Sequence, residues 1–532
     1  MQPALLFFGG NRMTQEREHY CWTVIVLLFF VCFPAVSRAQ HVQTYVDSAV
    51  AAIGGREALL GLKSQRIVSH GENFEPDQAV EPGGTPRKVG TFTCTLLRDL
   101  ITGKVRYEWQ RDMPPPFSTT WKYTEIINGD EGAIIGADGG RSPAQRPSST
   151  ARIAARRKEL SRSAASVLVH ALSRSSSFLR LMDQMIRGRK HIVIAYDNQG
   201  HQVIMAIDGD SRLLTKVEFL EDDPIYGDTQ NELFFDDWRQ VGALKLPFEL
   251  LARVNGQEVR VEHIDSIEND VELKSDDFAI PEALAQVDQS NGRRGDVSSQ
   301  WLLRRVALGS PLDDEHTRVE LTPVGKGVWH ITGGTHHSLV IEMTDHLVVV
   351  EAPLYEERSQ AVLAEVARKF PGKPVRTVIN THFHNDHSGG LRAYVAIGAS
   401  VVTGKINEPF LQRMFTAQHS RVPDSLQRER KAAVIETVET EKKILTDGDR
   451  TVEVYPVTSS HSAGMLVVYL PQEKLLFVSD LFSPGAPRQI AAFSRELLDA
   501  IQQHNLQVVG IVGGHGNKVG TLADVRQAAA GQ

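Results

Sequence analysis

The chain has 532 residues, of which 41% are hydrophobic and 23% charged, with a formal net charge of −7 and a pI near 6.3. That length predicts two or more domains, and the mildly acidic balance gives no global sign of a nucleic-acid partner. Its three cysteines, Cys21, Cys32 and Cys94, exclude a disulfide framework, because the first two fall in a leader segment.

Residues 1–39 read as a signal peptide. The run "WTVIVLLFFVCFPAV" (Trp22–Val36) is too short, and interrupted too early by Pro34, to span a bilayer. Small residues at Ser37 and Ala39 fit cleavage after Ala39. The expected product is exported, periplasmic or secreted, with no stable transmembrane span after cleavage. An uncleaved anchor is the alternative, and Met13 offers a second start.

Residues 40–285 follow as a β-rich, ligand-binding-like domain. It opens on a helical stretch, "VQTYVDSAVAAIGG", stopped by Gly54 and Gly55. In "GKVRYEWQRD", Val105, Tyr107 and Trp109 alternate with polar residues, the period-two mark of a strand. Further strand pairs flank the turn Asp197–Gly200 and the Asn255-Gly256 pair, which predicts an antiparallel sheet. A helical insert is expected over Ala151–Arg187. Its Arg152, Arg156, Arg157, Arg162, Arg174, Arg180 and Arg187 read as a solvated basic face rather than an anion site. This pattern, with "FFDDWRQVGALKLPFELLARVNG" and the closing "DDFAIPEAL", resembles the curved half-barrel of periplasmic lipoprotein-carrier proteins. The resemblance implies a concave apolar surface that holds an acyl chain or a peptide.

A polar linker is expected over 286–317, and the second domain over 318–532. There strands and helices alternate: two apolar strands in "HHSLVIEMTDHLVVVEAP", a helix in "ERSQAVLAEVARKF", and a buried strand in "VRTVIN". That last strand runs into "THFHNDHSGG". His382 and His384 are two apart, so in an extended segment both rings leave the same side and can share one cation. Asp386 and His387 come after a turn and face a second point nearby. Gly389 and Gly390 let the backbone pack close behind. His461, Asp480 and His515 each follow a later apolar strand, making seven candidate ligands. His336, His337, Glu351 and Tyr355 stand near the ends of early strands, outside that set.

The H-x-H-x-D-H cluster with the later His, Asp and Gly-His-Gly resembles the metallo-β-lactamase superfamily over about the last 215 residues. The resemblance implies an α/β fold in which a C-terminal αββα sandwich follows the antiparallel β-rich, half-barrel-like α+β domain. It implies two Zn²⁺ ions, with manganese or iron fitting the same donors. His382, His384 and His461 would hold the first ion. Asp386, His387 and His515 would hold the second, and Asp480 would bridge them. An Asp at 480, where zinc β-lactamases carry Cys or Ser, is closer to the glyoxalase-II, lactonase and phosphodiesterase branches. His384 stands where the flavodiiron branch carries Glu.

The expected function is an exported dinuclear zinc hydrolase acting on a small molecule. A metal-bound hydroxide, held in line by Asp386 as the catalytic residue, would cleave an ester, lactone, amide or lactam, or phosphodiester bond. No G-x-S-x-G offers a serine nucleophile. Two alternatives stay open. One is a mononuclear iron persulfide dioxygenase of the same fold, and the other a lipid- or peptide-binding protein with an accessory hydrolase domain. Specificity is expected in the loop Thr403–Lys431.

Overall fold

The computed structural model describes residues 42–285, 298–313, 317–486 and 488–531. The leader and residues 286–297 and 314–316 of the expected linker lie outside the described residues. Among the described residues, no helix is long and apolar enough to cross a membrane.

Fourteen strands between Ser64 and Asn269 form one antiparallel sheet. The chain meanders outward from Ser64–Glu75 to Gln145–Pro147, then returns from Leu179–Arg180 inward to Gln257–Asn269. First and last strands are therefore neighbours, paired from Gln65↔Asn269 to Asn73↔Arg260. The Asn255-Gly256 turn has φ of 48° and 80°, the left-handed pair that a two-residue hairpin requires. Register shifts at Val68/Ser69, Asn73/Phe74 and Ala252/Arg253 bend the long central strands.

Helices cover this sheet. Residues 42–52 and the helix Ala164–Leu172 share a core with Ile194, Met205, Val217 and Leu246. The helix Thr150–Ser161 adds Ile153 to an aromatic cluster of Phe92, Tyr107, Trp109 and Tyr123. The concave surface expected to hold an acyl chain is thus largely filled, leaving a cavity of about 190 Å³ beside Trp109 and Phe219.

The expected solvated arginine face is corrected at two of its members, whereas Arg157, Arg180 and Arg187 are exposed as expected. The insert is two short helices ending at Leu172, after which the chain returns to strands. Arg152 and Arg156 are fully buried. Arg152 donates to both oxygens of Glu125, at 2.8 and 2.9 Å, and pairs with Asp138. Burial opposes the charge of Glu125, but Arg152 and Arg156 outweigh it and hold its pKa near 2. The counter-charges lie outside the helix, Glu125 on the strand Thr120–Asn128 and Asp138 after the strand Glu131–Gly136, so helical periodicity alone could not reveal them.

The expected linker also needs correction. Ser299–Ala307 is a helix, capped by Ser298, whose Oγ accepts from the Trp301 amide. Trp301, Leu302 and Val306 pack against Ala151 and Ala155 on one side and Leu354 and Tyr355 on the other. This helix joins the two halves of the molecule.

The C-terminal half is two sheets between helices. A seven-stranded sheet runs from Glu320–Gly325 to Ile435–Val438, antiparallel at first and parallel from Leu347–Val350 onward. A five-stranded sheet runs from Lys443–Thr446 to Gly510–Val512. Strand alternation makes the layers. Leu339, Ile341, Val348, Val350, Ile379 and Val402 meet Val454, Leu466, Val468 and Phe477 between the sheets. The intervening Val340, Val349, Val378 and Val401 face the helices Glu356–Lys369, Leu391–Ile397 and Glu408–Thr416. On the far side Met465, Val467 and Leu476 face Ala491–Gln503 and Leu522–Ala529. Strands buried on both faces read as unbroken apolar runs, which is how "HLVVV" and "MLVVYL" appear in the sequence.

Candidate metal centre

The centre sits where four strand ends come together. Val375–Ile379 delivers Asn380, Thr381 and His382, and the next turn, Asn385–Ser388, starts directly after His384. The close packing expected behind the cluster is present. A Cβ on Gly389 would lie 2.0 Å from the Leu354 carbonyl oxygen, and one on Gly390 would lie 2.1 Å from Ser359 Oγ. His461 follows the strand Thr451–Val457, Asp480 follows Leu475–Phe477, and His515 follows Gly510–Val512.

His382, His384, His461 and Asp480 place one donor atom each within 4.8 Å of one another. A second group, His336, His387 and His515, converges in the same way. Asp480 lies between the two. Its Oδ2 is 3.0 Å from His461 Nε2 and 3.8 Å from His382 Nε2, while its Oδ1 is 3.0 Å from His387 Nε2 and 3.1 Å from His515 Nε2.

Most of these rings are pinned from behind. Thr381 Oγ1 meets His382 Nδ1 at 3.0 Å, and the Ala79 carbonyl holds His384 Nε2 at 2.9 Å. Glu351 holds His387 Nδ1 at 2.8 Å, and the Thr335 carbonyl holds His515 Nδ1 at 3.0 Å. Glu351 is fully buried, takes further bonds from Thr381 and Ser479, and has a backbone φ of 66°, a strained conformation for a non-glycine residue. Such outer partners fix ring orientation and tautomer.

The residues fit metal ions. His384 Nδ1 is buried without a hydrogen-bond partner among the described residues, a costly state that a bound cation relieves. Burial, reinforced by the neighbouring imidazoles, lowers the pKa of His382 and His384 well below the ordinary histidine value, so both are neutral as ligation requires. At Asp480 burial opposes the charge, but His387 and His515 outweigh it and hold the carboxylate ionised.

Asp386 departs from expectation. It joins neither donor group. Instead Gln78 Nε2 donates to its Oδ1 at 2.7 Å, and Arg305 Nη2 and His336 Nε2 approach its Oδ2 at 3.2 and 3.1 Å. His336, left outside the ligand set by sequence, takes the place beside His387 and His515. His337 Nδ1 lies 2.7 Å from the Gly516 carbonyl oxygen, beside the turn that carries His515. Tyr355 packs on Trp301.

Sequence reasoning missed the part played by the N-terminal half. Gln78, Ala79 and Arg87 come from the first hairpin of the antiparallel sheet, and the Ala463 amide donates to the Val80 carbonyl at 2.7 Å. No pattern in that hairpin signals the contact. For Arg305 there was a signal, the apolar spacing of Trp301, Leu302 and Val306. The Thr403–Lys431 segment, expected over the site, docks elsewhere: His419 Nδ1 lies 2.8 Å from Asp222, and the Gln418 carbonyl accepts from the Asp228 amide. The cavity that opens on the centre, about 660 Å³, is walled by the N-terminal sheet, residues 308–313 and the segment around Phe493.

Residues 313–511 match the family model of the metallo-beta-lactamase superfamily. A 163-residue stretch is 24% identical to 2,4-dinitroanisole O-demethylase subunit alpha of Nocardioides sp. (strain JS1661), covering 31% of this chain and 46% of that protein. Metallo-beta-lactamase type 2 of Elizabethkingia meningoseptica is 24% identical over 176 residues, covering 32% of this chain and 64% of that one. The matched regions therefore span less than two thirds of either relative. Among solved structures, a metallo-beta-lactamase from Pontibacter korlensis aligns with 40% of this chain and 98% of its own, at 21% identity and a TM-score of 0.32.

Proposed function

Because residues 313–511 carry a metallo-beta-lactamase superfamily domain, we propose that the chain is a metal-dependent hydrolase acting on a small molecule, with two zinc ions in the paired donor groups. The observation that carries this reading is Asp480, whose two oxygens are divided between His382 and His461 on one side and His387 and His515 on the other. His382, His384 and His461 would hold the first ion, and His387 and His515 the second, with Asp386 and His336 beside it. Bound there, such ions supply Lewis acidity and lower the pKa of water from 15.7 to about 7.

The protein's own residues set geometry and charge. Burial raises the pKa of Asp386, but Arg305 and His387 outweigh it and hold the carboxylate ionised. The Arg305 guanidinium makes it a weak proton acceptor. Its role is therefore to orient water through a remaining lone pair rather than to take the proton. Glu351 keeps His387 Nε2 aimed inward by holding Nδ1. The bond classes this arrangement serves are esters, lactones, amides or lactams, and phosphodiesters. Read as a signal peptide, residues 1–39 would send the enzyme out of the cytoplasm.

Metal analysis of natively purified protein, with a hydrolysis panel over those bonds, tests the proposal. Two zinc ions per chain and chelator-sensitive cleavage are expected. One iron per chain with oxygen uptake on a persulfide would replace it with the mononuclear dioxygenase.

A further inference from the structure

The walls of the cavity over the metal centre carry chemical information of their own. One side is apolar, formed by Met113, Pro114, Phe117 and Trp121 from the N-terminal sheet and by Ile490 and Phe493 from the hydrolase half. Four cationic side chains also line it: Arg87, Lys88, Arg141 and Arg488. Three of them are committed. Lys88 pairs with Glu72 at 2.5 Å, Arg141 donates to the Thr335 carbonyl at 2.9 Å, and Arg488 donates to the Phe117 carbonyl at 2.8 Å.

Arg87 is different. It begins the strand Arg87–Asp99, at the end of the same hairpin that supplies Gln78 and Ala79, and is half-buried. Among the described residues its guanidinium forms no hydrogen bond or ion pair. It lines the same cavity as the carboxylates of Asp480 and Asp386. Both already have partners: Asp480 faces four imidazoles, and Asp386 faces Arg305, Gln78 and His336. A guanidinium is a bidentate donor matched to a planar anion, and a partly desolvated one with no partner gains most from a ligand that brings one. The apolar wall excludes a small, fully hydrated anion as the whole ligand.

We propose that the substrate is an amphipathic carboxylate, an acyl or aryl body bearing one anionic group, and that Arg87 is the residue that selects it by pairing with that group. The apolar body lies against Phe117, Trp121 and Phe493, and the scissile bond is thereby set over the donor groups. The N-terminal domain thus supplies specificity while the C-terminal domain supplies the chemistry. This rests on the hydrolase reading for its function but not for its test, which measures binding.

The probes are 4-phenylbutyrate and its neutral counterpart 4-phenylbutyramide, titrated by calorimetry into the full-length, zinc-loaded protein. The acid should bind at least ten-fold more tightly than the amide. Arg87→Met should remove that difference while leaving the amide's affinity, the melting temperature and the zinc content unchanged. Arg87→Lys should keep part of it. Phe117→Ala should weaken acid and amide alike. Equal binding of the two probes by the unaltered protein, no binding of either, or an acid preference that survives Arg87→Met would overturn the proposal. Loss of zinc in Arg87→Met would also overturn it, since the residue would then serve the metal centre. Failure of the hydrolase reading shows separately, as absence of turnover across the panel with the acid preference intact.

Discussion

At the scale of single residues, the centre depends on side chains that touch no substrate. Glu351 is the clearest case. Glu351→Gln keeps the shape but weakens the hold on His387 Nδ1, so zinc affinity should fall by about 10–100-fold, read by competition with a chromophoric chelator. Asp386→Asn should cost about two orders of magnitude in kcat/KM with the melting temperature little changed. A larger fall in kcat than rise in KM would agree with orientation of water, and unchanged kcat would refute it. Six of the seven residues read from "THFHNDHSGG" and the later strand ends fall in the two donor groups, all but Asp386, because motif spacing on a strand end is a local property. What the sequence could not show was Asp386 turning toward Gln78 and Arg305, and His336 turning in, since both depend on partners 50 to 308 positions away.

At the scale of elements, the helix Ser299–Ala307 governs. Arg304 is hydrogen-bonded within a buried set of carboxylates: it binds Glu75, Asp77 at 3.2 Å and Asp223 at 2.8 Å. Burial raises the pKa of Glu75 to about 7 and of Asp223 to about 6, against the pull of Arg304. Raised carboxyl values mean that the folded state holds protons the unfolded chain has released. That contribution is complete below the ordinary value of about 4.5 and is lost as pH rises through about 7. Urea unfolding should therefore show stability falling across that interval, and Glu75→Gln should flatten the profile. Arg304→Met leaves the acids unpaired and should cost about 3–5 kcal/mol at alkaline pH, less in acid where they take up protons. Composition explains why this helix was read as linker. The polar run before it dominates, and only its capping serine and apolar spacing mark a helix. The sandwich strands were legible because burial on both faces leaves unbroken apolar runs, whereas the buried Arg152–Glu125 pairing left no trace in periodicity.

At the scale of the whole molecule, the two halves meet at the metal centre. The C-terminal half expressed from residue 298 onward would lack Gln78, Ala79 and Arg87. Its zinc affinity should drop by about ten-fold or more, because His384 loses the carbonyl that orients it and Asp386 loses a donor. Retention of full affinity by that fragment would show the contacts to be incidental.

The Gln78–Val80 stretch also has a consequence for how such a protein diversifies. A crossover between the halves, even at the polar segment that looks like the natural seam, would pair a catalytic core with a foreign hairpin lacking the amide and carbonyl it relies on. Productive chimeras should be those in which this hairpin and the Arg304–Arg305 helix travel together with the core. Inheritance would then follow the polar contacts that cross the seam rather than the boundary that composition suggests.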